Sequence, residues 1–140
     1  LVAYTSIYGH TADAAEQLAE ELRTKGQQVV VMDLARCDMA EAVAQAFRFS
    51  KLVLATPTYN ADVFPFMKEF IHHLTERNYQ NRTVAFIENG SWAPMAAKVM
   101  TKMLEGSKNL TYAATTVTVR GALNAASEAQ LAALADELSR

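Results

Sequence analysis

The stretch Thr5-Ser6-Ile7-Tyr8-Gly9-His10-Thr11 lies between the apolar run Leu1–Tyr4 and an amphipathic segment that begins near Thr11. This order is typical of a short strand, a loop of hydroxyl side chains with one glycine, and the start of a helix. The first N–H groups of a helix have no partner within the helix, and the helix dipole adds partial positive charge there. The sequence therefore indicates a site for an anion such as a phosphate group in this loop.

The predicted phosphate site contains no lysine or arginine, so neutral groups would have to hold the charge. Ser6 and Thr11 can donate O–H groups. The backbone N–H groups of residues 8–11 can converge, because Gly9 can adopt a conformation closed to larger residues. About five or six hydrogen bonds, each contributing about 1.5–3 kcal/mol with a charged acceptor, would hold a phosphate dianion. An ordinary strand-to-helix turn rich in hydroxyls is the alternative.

Composition describes one domain of 140 residues, 51% of them apolar, with 13 basic and 15 acidic residues and a net charge of −2. No basic stripe indicates nucleic acid, and no long apolar segment indicates a membrane. A single cysteine, Cys37, excludes an internal disulfide and favours a reducing cytoplasm. Because the chain opens at Leu1 inside a predicted strand, we expect it to be a piece of a longer protein.

Strand and helix patterns alternate along the whole chain. This alternation predicts a single three-layer α/β domain over 1–140, with a parallel sheet covered on both faces. The predicted strands are Leu1–Thr5, Val29–Met32, Leu52–Ala55, Val84–Ile87 and an edge strand, Thr111–Val119. The predicted helices run from Thr11 to Lys25, from Asp38 with Glu41 as a capping box to Phe47, from Pro65 through Leu74, from Pro94 to Gly106, and from a cap formed by Ser127 and Gln130.

Ligands of such sheets bind beyond the carboxyl ends of the strands, so the loops after the first, third and fourth strands are the informative ones. The first loop lacks the G-x-G-x-x-G pattern of dinucleotide-binding folds and the G-K-[ST] ending of a P-loop. A receiver domain would need acids after the first strand and an Asp after the third, where the chain has Thr5-Ser6 and Thr56. These three classes are therefore disfavoured.

Two further loops contain one aromatic side chain each, in Pro57-Thr58-Tyr59-Asn60 and in Asn89-Gly90-Ser91-Trp92. Tyr59 and Trp92 would stand on opposite sides of the cleft, where they could flank a planar ring. Each aromatic taken singly is more typical of packing at the edge of the cleft than of a ligand contact. Their occurrence at the same sheet edge as a phosphate loop favours a ligand with both a phosphate and a heterocycle.

Ser6-Ile7-Tyr8-Gly9-His10-Thr11 resembles the FMN phosphate loop of flavodoxins, [ST]-x-[TY]-G-x-T, with His10 where Asn is more usual. Thr56-Pro57-Thr58-Tyr59-Asn60 resembles the second FMN loop of the flavodoxin-like domain in flavodiiron proteins. Asn89-Gly90-Ser91-Trp92-Ala93-Pro94 is similar to the third, without the common G-S-Y-G-W order. The resemblance covers essentially the whole chain. It implies a flavodoxin-like fold with strand order 2-1-3-4-5.

The resemblance also implies a set of FMN-binding residues. The residues of the phosphate loop would be Thr5, Ser6, Ile7, Tyr8, Gly9, His10 and Thr11. Those around the isoalloxazine would be Pro57, Thr58, Tyr59 and Asn60 on one side and Asn89, Gly90, Ser91 and Trp92 on the other. The flavin would store electrons while the protein sets its potential. Glu88, if it lies near the ring, would lower that potential by like-charge repulsion.

The function implied by the resemblance is that of an FMN-binding electron-transfer domain of a flavodiiron oxygen or nitric oxide reductase. Its partners would be a redox donor such as rubredoxin and a di-iron domain of the same or a neighbouring chain, possibly within a homodimer. Such a metal domain would precede Leu1, because these 140 residues contain no H-x-E-x-D-H ligand set. The alternatives are a free-standing flavodoxin carrier, a flavin-dependent quinone or NAD(P)H reductase, and a flavodoxin-like scaffold without FMN.

Overall fold

The computed structural model describes residues 1–7, 9–59, 62–90 and 94–140, with only the backbone at Tyr59. Its strands are β1 Val2–Tyr4, β2 Val31–Asp33, β3 Lys51–Tyr59, β4 Asp62–Val63, β5 Arg82–Asn89, β6 Leu110–Tyr112 and β7 Val117–Val119. Its helices are α1 His10–Thr24, α2 Met39–Arg48, α3 Pro65–Glu76, α4 Ala96–Met103 and α5 Ala125–Leu138.

The sheet follows the order β2-β1-β3-β5, and β6 and β7 share the last position, where both run parallel to β5. Every pairing along this path is parallel, whereas β4 folds back antiparallel on the end of β3. With β5 counted as the fourth strand and β6 with β7 as the fifth, this is the predicted order 2-1-3-4-5. The three-layer α/β fold is confirmed.

Both faces of the sheet are buried, as continuous apolar strands require. Successive side chains of β3 alternate between two separate cores, because neighbouring residues of a strand point to opposite faces. Leu52 and Leu54 pack with α2, α3 and α4, and Val53 and Ala55 pack with α1 and α5. The rigid sheet between them fixes the positions of the loops at its carboxyl edge.

The predicted single edge strand Thr111–Val119 is wrong in one respect, because it divides into β6 and β7. The backbone N–H groups of Ala114 and Thr115 donate to the Glu137 carboxylate of α5, at 2.7 and 3.1 Å. Amides bound to a helix side chain cannot join a strand ladder. A charged acceptor from another element therefore interrupts the strand pattern locally.

Three helices also differ from the prediction at their ends. Asp38 caps α2 as expected, accepting from the Ala40 N–H at 3.0 Å, but Glu41 accepts from the Gln45 side chain instead of completing a capping box. The cap of α5 is Asn124, which exchanges hydrogen bonds with Ser127 at 3.0 and 2.9 Å. The fourth helix, predicted from Pro94 to Gly106, is regular only over Ala96–Met103.

Candidate functional site

The carboxyl ends of β1, β3 and β5 lie side by side, which brings the three predicted loops to one edge of the sheet. Tyr4 pairs with Ala55, and the next residue, Thr5, donates its N–H to the Ala55 carbonyl at 2.9 Å. Pro57 pairs with Asn89 at the ends of β3 and β5. The strand register therefore confirms that the three loops begin at the same edge of the sheet.

The first loop is closed by the Ser6 hydroxyl. Its oxygen accepts from the N–H groups of Gly9 at 3.1 Å and Ala12 at 3.3 Å, so its own hydrogen remains available to an external acceptor. Gly9 has φ of 88°, the left-handed conformation predicted for it. In the described part of the loop, the N–H groups of His10 and Thr11 have no acceptor.

These donors form the start of α1, where the helix dipole is positive. The first helical hydrogen bond runs from the Asp13 N–H to the Gly9 carbonyl at 2.9 Å. The Thr11 side chain is buried, with 2% of its surface exposed, and its hydroxyl has no partner among the described residues. Two N–H groups and two hydroxyls can therefore serve one anion without a cationic side chain.

Thr5 occupies a different position from the other hydroxyl residues of the loop. It is fully buried, and its hydroxyl lies 2.6 Å from the hydroxyl of Thr56, which is also fully buried. The Thr56 hydroxyl in turn donates to the Pro57 carbonyl at 3.3 Å. Thr5 was predicted as a binding residue, but this bond points to a role in joining the ends of β1 and β3.

Replacing Thr56 by Val is expected to destabilise the protein by about 1–3 kcal/mol, because the Thr5 hydroxyl is left buried without its partner. The double variant Thr5→Val/Thr56→Val removes both hydroxyls and is expected to be more stable than Thr56→Val alone. Urea unfolding of wild type, both single variants and the double variant measures the coupling. Strictly additive effects of the two substitutions would contradict this bond.

The second loop is a hairpin between β3 and β4. Thr58 pairs with Val63 and the backbone of Tyr59 with Asp62. The Asp62 carboxylate accepts from Lys68 of α3 at 2.9 Å and from the Val63 N–H at 2.8 Å. Both hydrogen bonds hold the pKa of the Asp62 carboxyl below its usual value. The base of the hairpin is thus attached to α3.

A single side chain links the second loop to the third. The Thr58 hydroxyl accepts from the Met95 N–H at 3.1 Å, directly before α4. Thr58 was predicted to line the isoalloxazine, and its hydroxyl hydrogen remains available to do so. Pro57 is half-buried at the end of the sheet. The second predicted ring-binding loop is therefore hydrogen-bonded to the segment that follows the third.

The third loop begins with a residue whose side chain is already bonded. The Asn89 amide donates to the Gly121 carbonyl and accepts from the Gly121 N–H, both at 3.1 Å, and the residue is buried. Gly90 donates its N–H to the Val119 carbonyl at 3.0 Å. Asn89 is therefore placed to hold the loop against the segment after β7, and a direct ligand contact would use its backbone.

Five predicted binding residues lie wholly or partly outside the described residues. Tyr8, Asn60, Ser91 and Trp92 belong to the undescribed positions, and only the backbone of Tyr59 is described. Sequence reasoning in turn missed Thr56, Met95 and Gly121 as residues that join the loops. No local pattern indicates them, because each bond links residues more than 30 positions apart in sequence.

The residues present fit a flavin mononucleotide. The N–H groups of His10 and Thr11, which have no acceptor among the described residues, and the hydroxyl hydrogens of Ser6 and Thr11 suit its phosphate monoester. The linked loops after β3 and β5 lie at the same edge of the sheet, where its ring would be. Among the described residues, no three His, Cys, Asp or Glu side chains come together as a metal site. The helices of the described ranges are all too short or too polar to cross a membrane.

The fold and site define a three-layer α/β domain with a phosphate loop between its first strand and first helix. The chain belongs to the flavodoxin family, whose model, described as Flavodoxin, matches residues 2–133. Flavodoxins bind FMN, and the chain is a flavodoxin-like FMN-binding domain. Among curated proteins, none matches the sequence significantly.

Solved structures of two kinds share the fold. Rubredoxin:oxygen oxidoreductase from Desulfovibrio gigas is 23% identical with a TM-score of 0.92, over 99% of this chain and 34% of that one. The flavodiiron protein from Giardia intestinalis is 18% identical with a TM-score of 0.86, over 97% of this chain and 34% of that one. A flavodoxin from the domain Archaea is 16% identical with a TM-score of 0.84, over 99% and 94% of the respective chains. This chain thus spans about a third of each of the first two proteins and nearly all of that flavodoxin.

Proposed function

We propose that this domain transfers electrons through FMN as part of a flavodiiron-type oxidoreductase. Ser6, Thr11 and the N–H groups of His10 and Thr11 would hold the phosphate. The loops after β3 and β5 would hold the ring, which when bound stores one or two electrons. The remaining predicted contacts, from Tyr8, Tyr59, Asn60, Ser91 and Trp92, belong to the same proposal.

The observation that carries this proposal is a set of exposed apolar side chains in the segments next to the three loops, which we call the apolar rim and define as Ile7, Phe66 and Met95. These side chains expose 46%, 40% and 37% of their surface. Ile7 lies in the first loop, Phe66 at the start of α3 after the second, and Met95 after the third. The fourth large apolar side chain that is exposed in the described ranges, Tyr112, lies on β6.

Exposed apolar side chains beside each of the three loops suit a closely packed neighbour better than a partner that docks by charge. Freely diffusing carriers gain speed from complementary charge, and a net charge of −2 provides little of it. The rim would face a di-iron domain of the same or a neighbouring chain, as in a homodimer, or a redox protein donor such as rubredoxin.

The second candidate is a free-standing flavodoxin carrier, favoured by the coverage of 94% of the archaeal flavodoxin. A flavin-dependent quinone or NAD(P)H reductase has no observation that favours it. A scaffold without FMN would leave the purified protein colourless and unable to quench FMN fluorescence.

The test measures electron transfer from reduced rubredoxin to the FMN-loaded protein by stopped-flow absorbance at low and high salt. We expect the rate to change by less than about threefold between 20 and 500 mM salt, because apolar contacts are not screened. Phe66→Glu and Met95→Glu should each slow the reaction, while Tyr112→Glu serves as the matched control. A steep salt dependence with no effect of Phe66→Glu would instead support the charged carrier.

A further inference from the structure

Glu88 lies in β5, three residues before the undescribed part of the third loop, and its carboxylate bridges two other elements. One oxygen accepts from the Ala97 N–H at the start of α4, at 3.1 Å. The other accepts from the Thr118 hydroxyl of β7, at 2.9 Å. Glu88 and Thr118 are also partners in the parallel pairing of β5 with β7. The side chain therefore connects β5, α4 and β7.

The bond to Ala97 replaces a local helix cap. Met95, at the N-cap position of α4, makes no side-chain cap bond. The first N–H groups of a helix need acceptors, and a negative charge is favourable at that end. Glu88 supplies both from the neighbouring strand. The start of α4 is thus fixed by a residue on the other side of the third loop.

Hydrogen bonds border the third loop on both sides. Before it, Gly90 donates to the Val119 carbonyl at 3.0 Å, and after it, Met95 donates to the Thr58 hydroxyl at 3.1 Å. Glu88 is the residue whose side chain reaches from the first flank to the second. Loss of its two hydrogen bonds would leave the start of α4 less firmly attached to β5.

We propose that Glu88 is a positioning residue, which holds the two flanks of the third loop, in β5 and at the start of α4, in place for the flavin ring through its bonds to Ala97 and Thr118. The inference rests on the proposed function, because it concerns the same FMN site. It differs from a direct electrostatic effect on the ring, in which the charge of Glu88 alone would matter. The two roles predict opposite behaviour for an uncharged variant of the same shape.

The experiment compares Glu88→Gln, Glu88→Ala and Thr118→Val with wild type and with Glu105→Gln, an exposed acid beyond the end of α4. Gln keeps an oxygen for the Ala97 N–H and an amide for the Thr118 hydroxyl, whereas Ala keeps neither. Fluorescence quenching gives the Kd of FMN and of riboflavin, which lacks the phosphate. Amide exchange at Ala97 and the flavin midpoint potential are measured on the same samples.

We expect Glu88→Ala to weaken FMN and riboflavin by the same factor, about tenfold, the lower end of what a charge-assisted hydrogen bond contributes. Amide exchange at Ala97 should be faster in Glu88→Ala than in wild type. Thr118→Val should likewise weaken flavin binding and speed exchange at Ala97. Glu88→Gln and Glu105→Gln should match wild type in flavin affinity and midpoint potential. Should Glu88→Ala fail to fold, Thr118→Val carries the same test.

Two results would overturn the proposal. One is a Kd of riboflavin that stays unchanged in both Glu88→Ala and Thr118→Val. The other is an equal shift of the midpoint potential in Glu88→Gln and Glu88→Ala, which would assign Glu88 an effect of charge alone. If wild type itself binds neither FMN nor riboflavin, the proposed function fails and the positioning role with it. Accelerated exchange at Ala97 would then report only a structural bond.

Discussion

Replacing Phe70 by Ala is expected to lower the free energy of unfolding by about 3–5 kcal/mol. Phe70 lies in the middle of α3 and is fully buried between that helix and the sheet, in the core shared with α2 and α4. Its removal leaves a cavity that the close-packed surroundings fill only in part. The effect is a large fraction of the stability of a domain of this size.

Phe66→Ala is the matched control, because it makes the same substitution four residues earlier on the same helix. Phe66 is 40% exposed, so its truncation should cost less than about 1 kcal/mol. Urea denaturation followed by circular dichroism measures both variants. Equal losses would mean that Phe66, in the first turn of α3, is buried as fully as Phe70.

Replacing Ser6 by Ala is expected to weaken FMN binding by about 10- to 150-fold, the equivalent of one hydrogen bond of about 1.5–3 kcal/mol to a charged acceptor. Ser6 has two roles in the first loop. Its oxygen accepts from Gly9 and Ala12 and so shapes the loop, and its hydrogen is available to the phosphate. Both contributions are lost with the hydroxyl.

Riboflavin separates the phosphate from the ring in this prediction. Because riboflavin has no phosphate, Ser6→Ala should leave its Kd within about twofold of the wild-type value. Ser50→Ala, an exposed serine before β3, controls for the loss of a hydroxyl elsewhere. If Ser6→Ala weakened the binding of riboflavin as much as that of FMN, the first loop would contact the flavin ring. The phosphate could then not be assigned to the first loop.

The sequence predicts the fold well wherever burial on both faces determines the pattern. The continuous apolar runs at Val53 and Ala85 leave no alternative to buried parallel strands, and alternation with helices then determines the layers. Asp38 and Pro65 mark helix starts through local chemistry alone, and both are found at those positions. These features depend on near neighbours, which a sequence displays directly.

The remainder depends on contacts between distant residues. The edge strand divides because Glu137, 22 residues beyond Thr115, takes its amide out of the ladder. Ser127 with Gln130 is as good a cap pattern as Asn124 with Ser127, and Gln130 instead accepts from the Thr118 N–H at 2.9 Å. No pattern in the sequence distinguishes these choices before the sheet and α5 are packed together.

The site was predictable as a set of loops but not as a set of side-chain roles. The hydroxyls and the glycine before α1 predict the phosphate site. Gly9 has the left-handed conformation, and Ser6 the hydrogen bonds within the loop, that such a site requires. The roles of Thr5 and Asn89 could not be predicted, because each is bonded to a residue that folding brings from another strand or loop. Tertiary structure therefore decides whether a residue next to a ligand-binding loop contacts the ligand or holds the loop in place.

We propose that the three loops bind FMN, with its phosphate at the start of α1. A fluorescence titration of FMN with the purified, flavin-depleted protein tests it most directly, with riboflavin titrated in parallel. We predict saturable quenching at one FMN per chain and binding of riboflavin that is at least about tenfold weaker, since it lacks the group that the first loop holds. FMN fluorescence that stays unquenched at protein concentrations far above those of the flavin would mean that the three loops do not bind FMN.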